Sequence, residues 1–301
     1  MARPRSLLGV EHLSAEEISS LLRLARKMQS GTPRPLLRGK RIALLFYEPS
    51  TRTRVSFEFA AKLLGTHTSV INAIDSSIEK GESLVDTGRT LQALGSDCIV
   101  VRHPASGAPQ VLARNLQVPI INAGDGMHEH PSQALLDAYT MQRHFKSLKG
   151  LKVTMVGDIQ HSRVVRSNVH LLSKFGAQIV LCGPPELLPE VAATLAPGVA
   201  ISRHMEEALR KADVVMMLRV QKERLAGQRL NLHRYVAQYQ LTADRLKLAK
   251  PNALVMHPGP MIRGMEIQGQ VADGPQSVIA EQVRNGVYVR MAILSSCMGV
   301  A

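Results

Sequence analysis

Short apolar runs alternate along the chain with segments whose apolar positions fall three to four residues apart. The first pattern marks buried strands and the second marks helices with one apolar face. In the first half, strands are predicted at 42–47, 69–73, 98–101 and 119–122, and helices near 51–64, 83–94, 107–115 and 131–146. Ahead of them, Ser14 followed by Glu17 forms a capping box that opens a helix over 14–28. After Leu148-Lys149-Gly150-Leu151 the alternation restarts, with strands at 152–156, 178–182, 214–217 and 253–256. Helices near 162–174, 186–195, 205–211 and 242–249 fall between them, and a long helix over about 276–297 closes the chain. The pattern is that of an α/β protein with two domains, each a mostly parallel sheet flanked by helices. The expected boundaries are 1–147 and 148–275, with 276–301 returning to the first domain.

Composition adds class but no chemistry. With 301 residues, 45% hydrophobic and 20% charged, the chain has ample core for two domains. No apolar run reaches the ~20 residues of a membrane span. The first ten residues lack the apolar stretch of a signal peptide, so a cytoplasmic protein is expected. Cys98, Cys182 and Cys297 are far apart, each in an apolar run, and read as buried free thiols. The formal net charge of +13 raises nucleic acid as a partner. Against it, the basic residues are dispersed among 24 acidic ones, only 3% of residues are aromatic and there is no Trp, so stacking platforms are scarce. The charge fits small acidic ligands better.

In open α/β sheets ligands bind beyond the carboxyl ends of the strands, and the polar residues of interest follow predicted strands. After the first come Glu48-Pro49-Ser50-Thr51-Arg52-Thr53-Arg54, three hydroxyls and two guanidiniums where a helix begins. Unpaired N–H groups and the helix dipole make that turn a good phosphate site. A plainer reading has Ser50 capping the helix and Arg54 paired with Glu58, and for Arg54 that reading is adopted. The expected apolar face of this helix is Val55, Phe59, Ala60, Leu63 and Leu64. Later strands are followed by the 76–83 loop with Lys80, by Arg102-His103, and by a segment ending in His128-Glu129-His130-Pro131-Ser132-Gln133. In the second half come Gly157-Asp158 through Arg163, Arg219-Val220-Gln221 through Arg224, and His257-Pro258-Gly259-Pro260-Met261. His130 is also compatible with a plain cap on the helix that Pro131 opens. His103 and His161 read as surface or packing residues, and Lys80 alone as a solvated charge. His128 and His130 lack metal-ligand spacing, and G-x-G-x-x-G is absent, so neither metal nor dinucleotide is expected. Donors for phosphate in one half and arginines for carboxylates in the other, without an activated nucleophile, point to direct transfer between two bound anions.

Ser50-Thr51-Arg52-Thr53-Arg54 resembles the carbamoyl-phosphate signature of the aspartate/ornithine carbamoyltransferase family, and His130-Pro131-Ser132-Gln133 resembles the family's second signature. The segment His257-Pro258-Gly259-Pro260 lacks the cysteine of the ornithine branch, and the stretch from Arg219 to Arg224 resembles the aspartate branch. Arginines suit the two carboxylates of aspartate and would repel an amine side chain. The resemblance implies transfer of the carbamoyl group of carbamoyl phosphate to L-aspartate, an early step of pyrimidine synthesis, with no cofactor. It implies that Ser50, Thr51, Arg52, Thr53 and Arg102 hold the phosphate, and that Thr53, Arg102 and His130 stabilise the oxyanion. It further implies that Gln133 and main-chain carbonyls near Gly259 and Pro260 hold the carbamoyl NH2, and that Arg163, Arg219 and Gln221 bind aspartate. In the family, the loop with Ser76 and Lys80 enters a neighbouring subunit's site, where Lys80 contacts both phosphate and aspartate, which implies a homotrimer with shared active sites. Regulatory chains or a dihydroorotase-like partner are further assemblies it allows. Family members often carry Asn where this chain has Ile262, the one departure seen; it removes none of these residues.

Overall fold

The computed structural model describes residues 6–31, 34–72, 81–221 and 230–300. By contacts the chain divides into two compact units, Met1–Leu136 with Val283–Ala301, and Asp137–Gln282.

The first unit opens with α1 (Ala15–Ser30), held at its start by the expected capping box: Ser14 Oγ accepts from the Glu17 N–H, and Glu17 accepts from the Ser14 N–H. Then β1 (Arg41–Phe46), α2 (Thr51–Leu63), β2 (His67–Asn72), α3 (Leu84–Ala93), β3 (Cys98–His103), α4 (Ala108–Asn115) and β4 (Ile120–Asp125) alternate, and α5 (Pro131–His144) follows. The four strands are all parallel, in the order β2-β1-β3-β4. A crossover to one side of β1 and then to the other puts the reversal of strand order between β1 and β3. One face of the sheet packs Ala43, Leu45, Ile99 and Val101 against Leu91, Leu112 and Leu116.

The apolar face of α2 meets the expectation at Ala60 and Leu64, both fully buried, and differs at Phe59 and Leu63. Thr53, Ser56, Phe57, Ala60 and Ala61 are buried, whereas Phe59 is 54% and Leu63 40% exposed. Ser56 misleads because its hydroxyl donates to the Arg52 carbonyl at 2.6 Å, hiding its polarity within the helix. Glu58 pairs with Lys62 at 2.7 Å rather than with Arg54, since both spacings are one turn and Lys62 lies on its C-terminal side.

The second unit runs β5 (Lys152–Val156), α6 (Arg163–Lys174), β6 (Gln178–Cys182), β7 (Ala200–Ser202), α7 (Met205–Leu209), β8 (Val214–Met217), α8 (Leu232–Tyr239), α9 (Ala243–Leu246), β9 (Leu254–Met256) and α10 (Gly269–Ala272). The closing helix α11 (Ile279–Cys297) starts in this unit and ends in the first. The five strands are parallel in the order β7-β6-β5-β8-β9, so the order reverses between β5 and β8. Where a helix over 186–195 is expected, only a 3-10 turn at Glu190–Leu195 forms, because Pro189 cannot sit inside a helix. The short edge strand β7 and helices α8 and α10 have no counterpart in the expectations. The three cysteines are buried free thiols, as expected, and burial pushes the Cys182 thiol up to about 12. Among the described residues no helix is long and apolar enough to cross a membrane.

Candidate active site

Both reversals of strand order carry the residues singled out by their chemistry. In the first unit, β1 leads into residues 50–54 and β3 ends in Arg102-His103. The Ser50 side chain makes no capping hydrogen bond, although its backbone holds the N-cap position and its carbonyl accepts from Arg54 N–H at 3.2 Å. The α2 N-terminus therefore keeps its hydroxyl and the N–H groups of its first turn pointing outward. Thr51 is exposed, Thr53 is buried and Arg52 is half-buried. Burial pulls the pKa of Arg52 below its ordinary value, and its Nη1 is buried with no hydrogen-bond partner among the described residues. An anion at this turn would supply that partner. Arg102 Nε donates to Glu48 Oε2 at 3.1 Å, a mostly buried pair that aims the guanidinium from the end of β3.

His130 and Gln133, at the start of α5, are both buried. His130 opens the helix through its carbonyl, which accepts from the N–H groups of Gln133 and Ala134 at 3.0 and 3.2 Å. Its ring does other work: Nε2 lies 3.5 Å from Thr53 Oγ1, and Nδ1 lies 3.5 Å from Ser132 Oγ. If the Ser132 hydroxyl donates to Nδ1, the proton sits on Nε2, on the side of Thr53. So the first unit brings together a hydroxyl from α2 and an imidazole from α5, far apart in sequence.

In the second unit, β5 leads through Gly157-Asp158 to Arg163, the first residue of α6, and β8 leads to Arg219-Val220-Gln221. Gly157 has φ +132°, and a Cβ there would lie 2.8 Å from the Leu218 carbonyl, so only glycine fits between the two strand ends. The buried Asp158 carboxylate accepts from His161 Nδ1 at 2.9 Å, His161 N–H at 3.1 Å and Gln221 N–H at 3.2 Å. Gln221 Nε2 returns a bond to the His161 carbonyl at 3.1 Å. His161 is thus a buried positioning residue joining the two loops. Ser162 Oγ caps α6, accepting from Val165 N–H at 3.3 Å, and Arg163 is buried at the cap.

A second buried acid, Glu266, accepts from Val220 N–H at 3.3 Å and Ile262 N–H at 2.8 Å. Burial pushes its pKa up, opposed by those N–H groups and by the charge of Arg219. It ties the loop after β8 to the segment that follows Gly259-Pro260. The contact at Ile262 is made by main chain, and the side chain is 37% exposed. The Gly259 N–H donates to His257 Nδ1 at 2.8 Å.

Ser76 and Lys80 lie outside the described residues. Glu48, Asp158 and Glu266 were missed as orienting acids; only Glu48, fixed next to the Pro49-Ser50 turn, offered a sequence signal. Glu11, His128 and Glu129 lie close enough to one another to suggest a metal. The two Glu129 oxygens instead accept the N–H groups of Val10 and Glu11, and His128 is held by Asp125 at 3.0 Å.

Two parallel sheets, each with donors suited to anions near its strand-order reversal, define a two-domain α/β protein of the kind that binds ligands at its strand ends. Residues 5–143 match the family described as "Aspartate/ornithine carbamoyltransferase, carbamoyl-P binding domain", and residues 149–297 match its "Asp/Orn binding domain". The chain belongs to the aspartate/ornithine carbamoyltransferase family. It is 60% identical to the aspartate carbamoyltransferase catalytic subunit of Koribacter versatilis over 98% of both chains. It is 55% identical to that of Solibacter usitatus, covering 98% of this chain and all of the other. Among solved structures, aspartate transcarbamoylase from Trypanosoma cruzi in complex with carbamoyl aspartate and phosphate superimposes with a TM-score of 0.88 at 35% identity, covering 98% and 96% of the two chains. Ornithine carbamoyltransferase from Pyrococcus furiosus gives 0.87 at 32% over the whole of both chains, so the fold alone does not separate the two branches.

Proposed function

We propose that this chain transfers the carbamoyl group of carbamoyl phosphate to the amine of L-aspartate, giving N-carbamoyl-L-aspartate and phosphate. The observation that carries the reading is the 60% identity, across nearly the full length of both chains, to an aspartate carbamoyltransferase catalytic subunit. The arginines Arg163 and Arg219 at the second unit's strand ends support it, because they suit a dicarboxylate.

In this reading the first turn of α2, with Ser50, Thr51, Arg52 and Thr53, takes the phosphate together with Arg102. Thr53, Arg102 and the Nε2–H of His130 donate to the carbamoyl oxygen. Gln133 and the carbonyls around Gly259 and Pro260 hold the carbamoyl NH2. Arg163, Arg219 and Gln221 hold the aspartate carboxylates. The neutral amine attacks the carbonyl carbon; a C–N bond forms and the oxygen becomes an oxyanion stabilised by fixed donors. The carbonyl then reforms, the C–O bond to phosphate breaks, and the departing phosphate accepts the ammonium proton. The catalytic gain comes from positioning and electrostatics, with no covalent bond between substrate and enzyme.

The shared site belongs to the same reading: Ser76 and Lys80 enter from a neighbouring subunit of a homotrimer. Exposed Phe59, Leu63 and Val70 on α2 and the edge strand β2, just ahead of that loop, are the kind of apolar surface a subunit contact covers. Regulatory or dihydroorotase-like partners would add to this trimer, and a cytoplasmic setting is expected for it.

Carbamoyl phosphate consumption measured side by side with aspartate, ornithine and N-acetylornithine tests the assignment. Aspartate is expected to be the acceptor, and preference for ornithine would sink it.

A further inference from the structure

Asp137 is fully buried on α5, one helical turn after Gln133. Its Oδ2 accepts from Asn168 Nδ2 at 2.9 Å, on α6, the helix that Arg163 opens. Its Oδ1 accepts from Gln282 Nε2 at 2.8 Å, on α11. The other end of that amide, Gln282 Oε1, accepts from the His257 N–H at 3.0 Å. His257 Nδ1 in turn accepts from the Gly259 N–H at 2.8 Å. The relay runs from a buried carboxylate through the Gln282 amide to the His257 backbone, and from the His257 imidazole to the N–H of Gly259, the residue that precedes Pro260.

We infer that Asp137 is a positioning residue for the carbamoyl group, acting through Gln282 on the main chain around Gly259 and Pro260. The inference rests on the carbamoyl-transfer reading and deepens it. An ionised carboxylate only accepts hydrogen bonds, so it fixes which end of the Gln282 amide faces it. With the amide reversed, its oxygen would face a carboxylate and its NH2 would face the His257 N–H, two repulsive contacts in a dry site. The acid thereby sets where the His257 backbone sits, and with it the carbonyls that hold the carbamoyl NH2. Orienting partners of this kind, one step removed from the ligand, control site geometry at little cost in fold.

The test compares the wild type with Asp137→Asn and with the double variant Asp137→Asn/Gln282→Glu. In Asp137→Asn, the Asn oxygen must serve Asn168, which leaves an NH2 against the Gln282 NH2. Glu at 282 cures this: it accepts from the new Asn and from the His257 N–H, and the net charge is unchanged. Asp137→Asn is expected to lower kcat/KM for carbamoyl phosphate by at least about tenfold. The inhibition constant for inorganic phosphate should move by less than about twofold, because phosphate lacks the carbamoyl end. The double variant should recover most of the loss. Unchanged kcat/KM in Asp137→Asn, parallel weakening of phosphate and carbamoyl phosphate, or a folded double variant with no recovery would each overturn the inference. Loss of folding in both variants would also overturn it, by assigning Asp137 to the core. If only the single variant fails to fold, an active double variant supports the inference and an inactive one overturns it. Wild type unable to use carbamoyl phosphate and aspartate would instead overturn the functional reading beneath it.

Discussion

Replacing Arg52 by Ala should separate stability from activity. In the free chain the half-buried guanidinium carries a desolvation cost that lowers its pKa, and Nη1 is buried with no partner among the described residues. A buried donor left unmatched costs about 1–3 kcal/mol. Truncation removes that cost and gives up the packing of the side-chain methylenes, about 1 kcal/mol. The unfolding free energy, measured in urea by circular dichroism, should therefore stay within about 1 kcal/mol of wild type or rise. Activity should behave differently. Removing one preorganised donor from a site of this kind typically costs about 100- to 1,000-fold in turnover, some 2.7–4 kcal/mol. Carbamoyl aspartate formation measured colorimetrically reads this directly. Inorganic phosphate gives a third arm: at about 100 times its Kd it should stabilise the wild type by about 2.7 kcal/mol, and the variant much less at the same concentration. A variant that loses more than about 2 kcal/mol of stability yet keeps the full phosphate-induced shift would refute the reasoning and make Arg52 a structural residue.

Other expectations address the neighbouring subunit, the Ile262 loop and pH. Chains carrying Lys80→Ala and Arg52→Ala, each nearly inactive, should regain activity when mixed into verified hybrid trimers; no complementation would argue against a shared site. Ile262→Asn should change stability by no more than about 0.5 kcal/mol and leave turnover near wild type, because the loop is anchored by the Ile262 N–H on Glu266. A large loss in an initial-rate assay would show that the side chain matters. The hydrogen bond to Asp125 raises the His128 pKa above 6.5, so its contribution is full below that value and disappears as pH rises through the raised one. Burial alone would raise Asp125, but hydrogen bonds from His128, Gly107 and Asn122 outweigh it and leave the acid below 3.8; its share is lost only as pH falls through that depressed value. The stability advantage of wild type over His128→Asn in urea should therefore shrink as pH rises above 6.5 through the raised value, and an advantage that grows would contradict the pairing.

Local patterns in the sequence were enough to set the alternation of strands and helices, the capping box at Ser14, the restart after Leu151, and the two motifs around Arg52 and His130. These features depend on residues a few positions apart, so a linear reading reaches them. That reading rotates part of the α2 apolar face, burying Phe59 and Leu63 in place of Ser56 and Phe57, because Ser56 hides its hydroxyl on the Arg52 carbonyl, and it runs a helix through Pro189. It passed over α8, although Leu232, Tyr235, Val236 and Tyr239 repeat at helical spacing after the Asn231 cap. Tertiary structure alone decided which charges orient which loops. Glu48 reaches Arg102 across 54 positions, Gln221 reaches Asp158 across 63, and Gln282 reaches Asp137 across 145. Buried carboxylates are kept where donors converge on them, and in each of these three cases at least one donor comes from far along the chain. The residue types for binding two anions are written along the chain; apart from Glu48, the acids that aim them become visible only when folding brings strand ends and helices together.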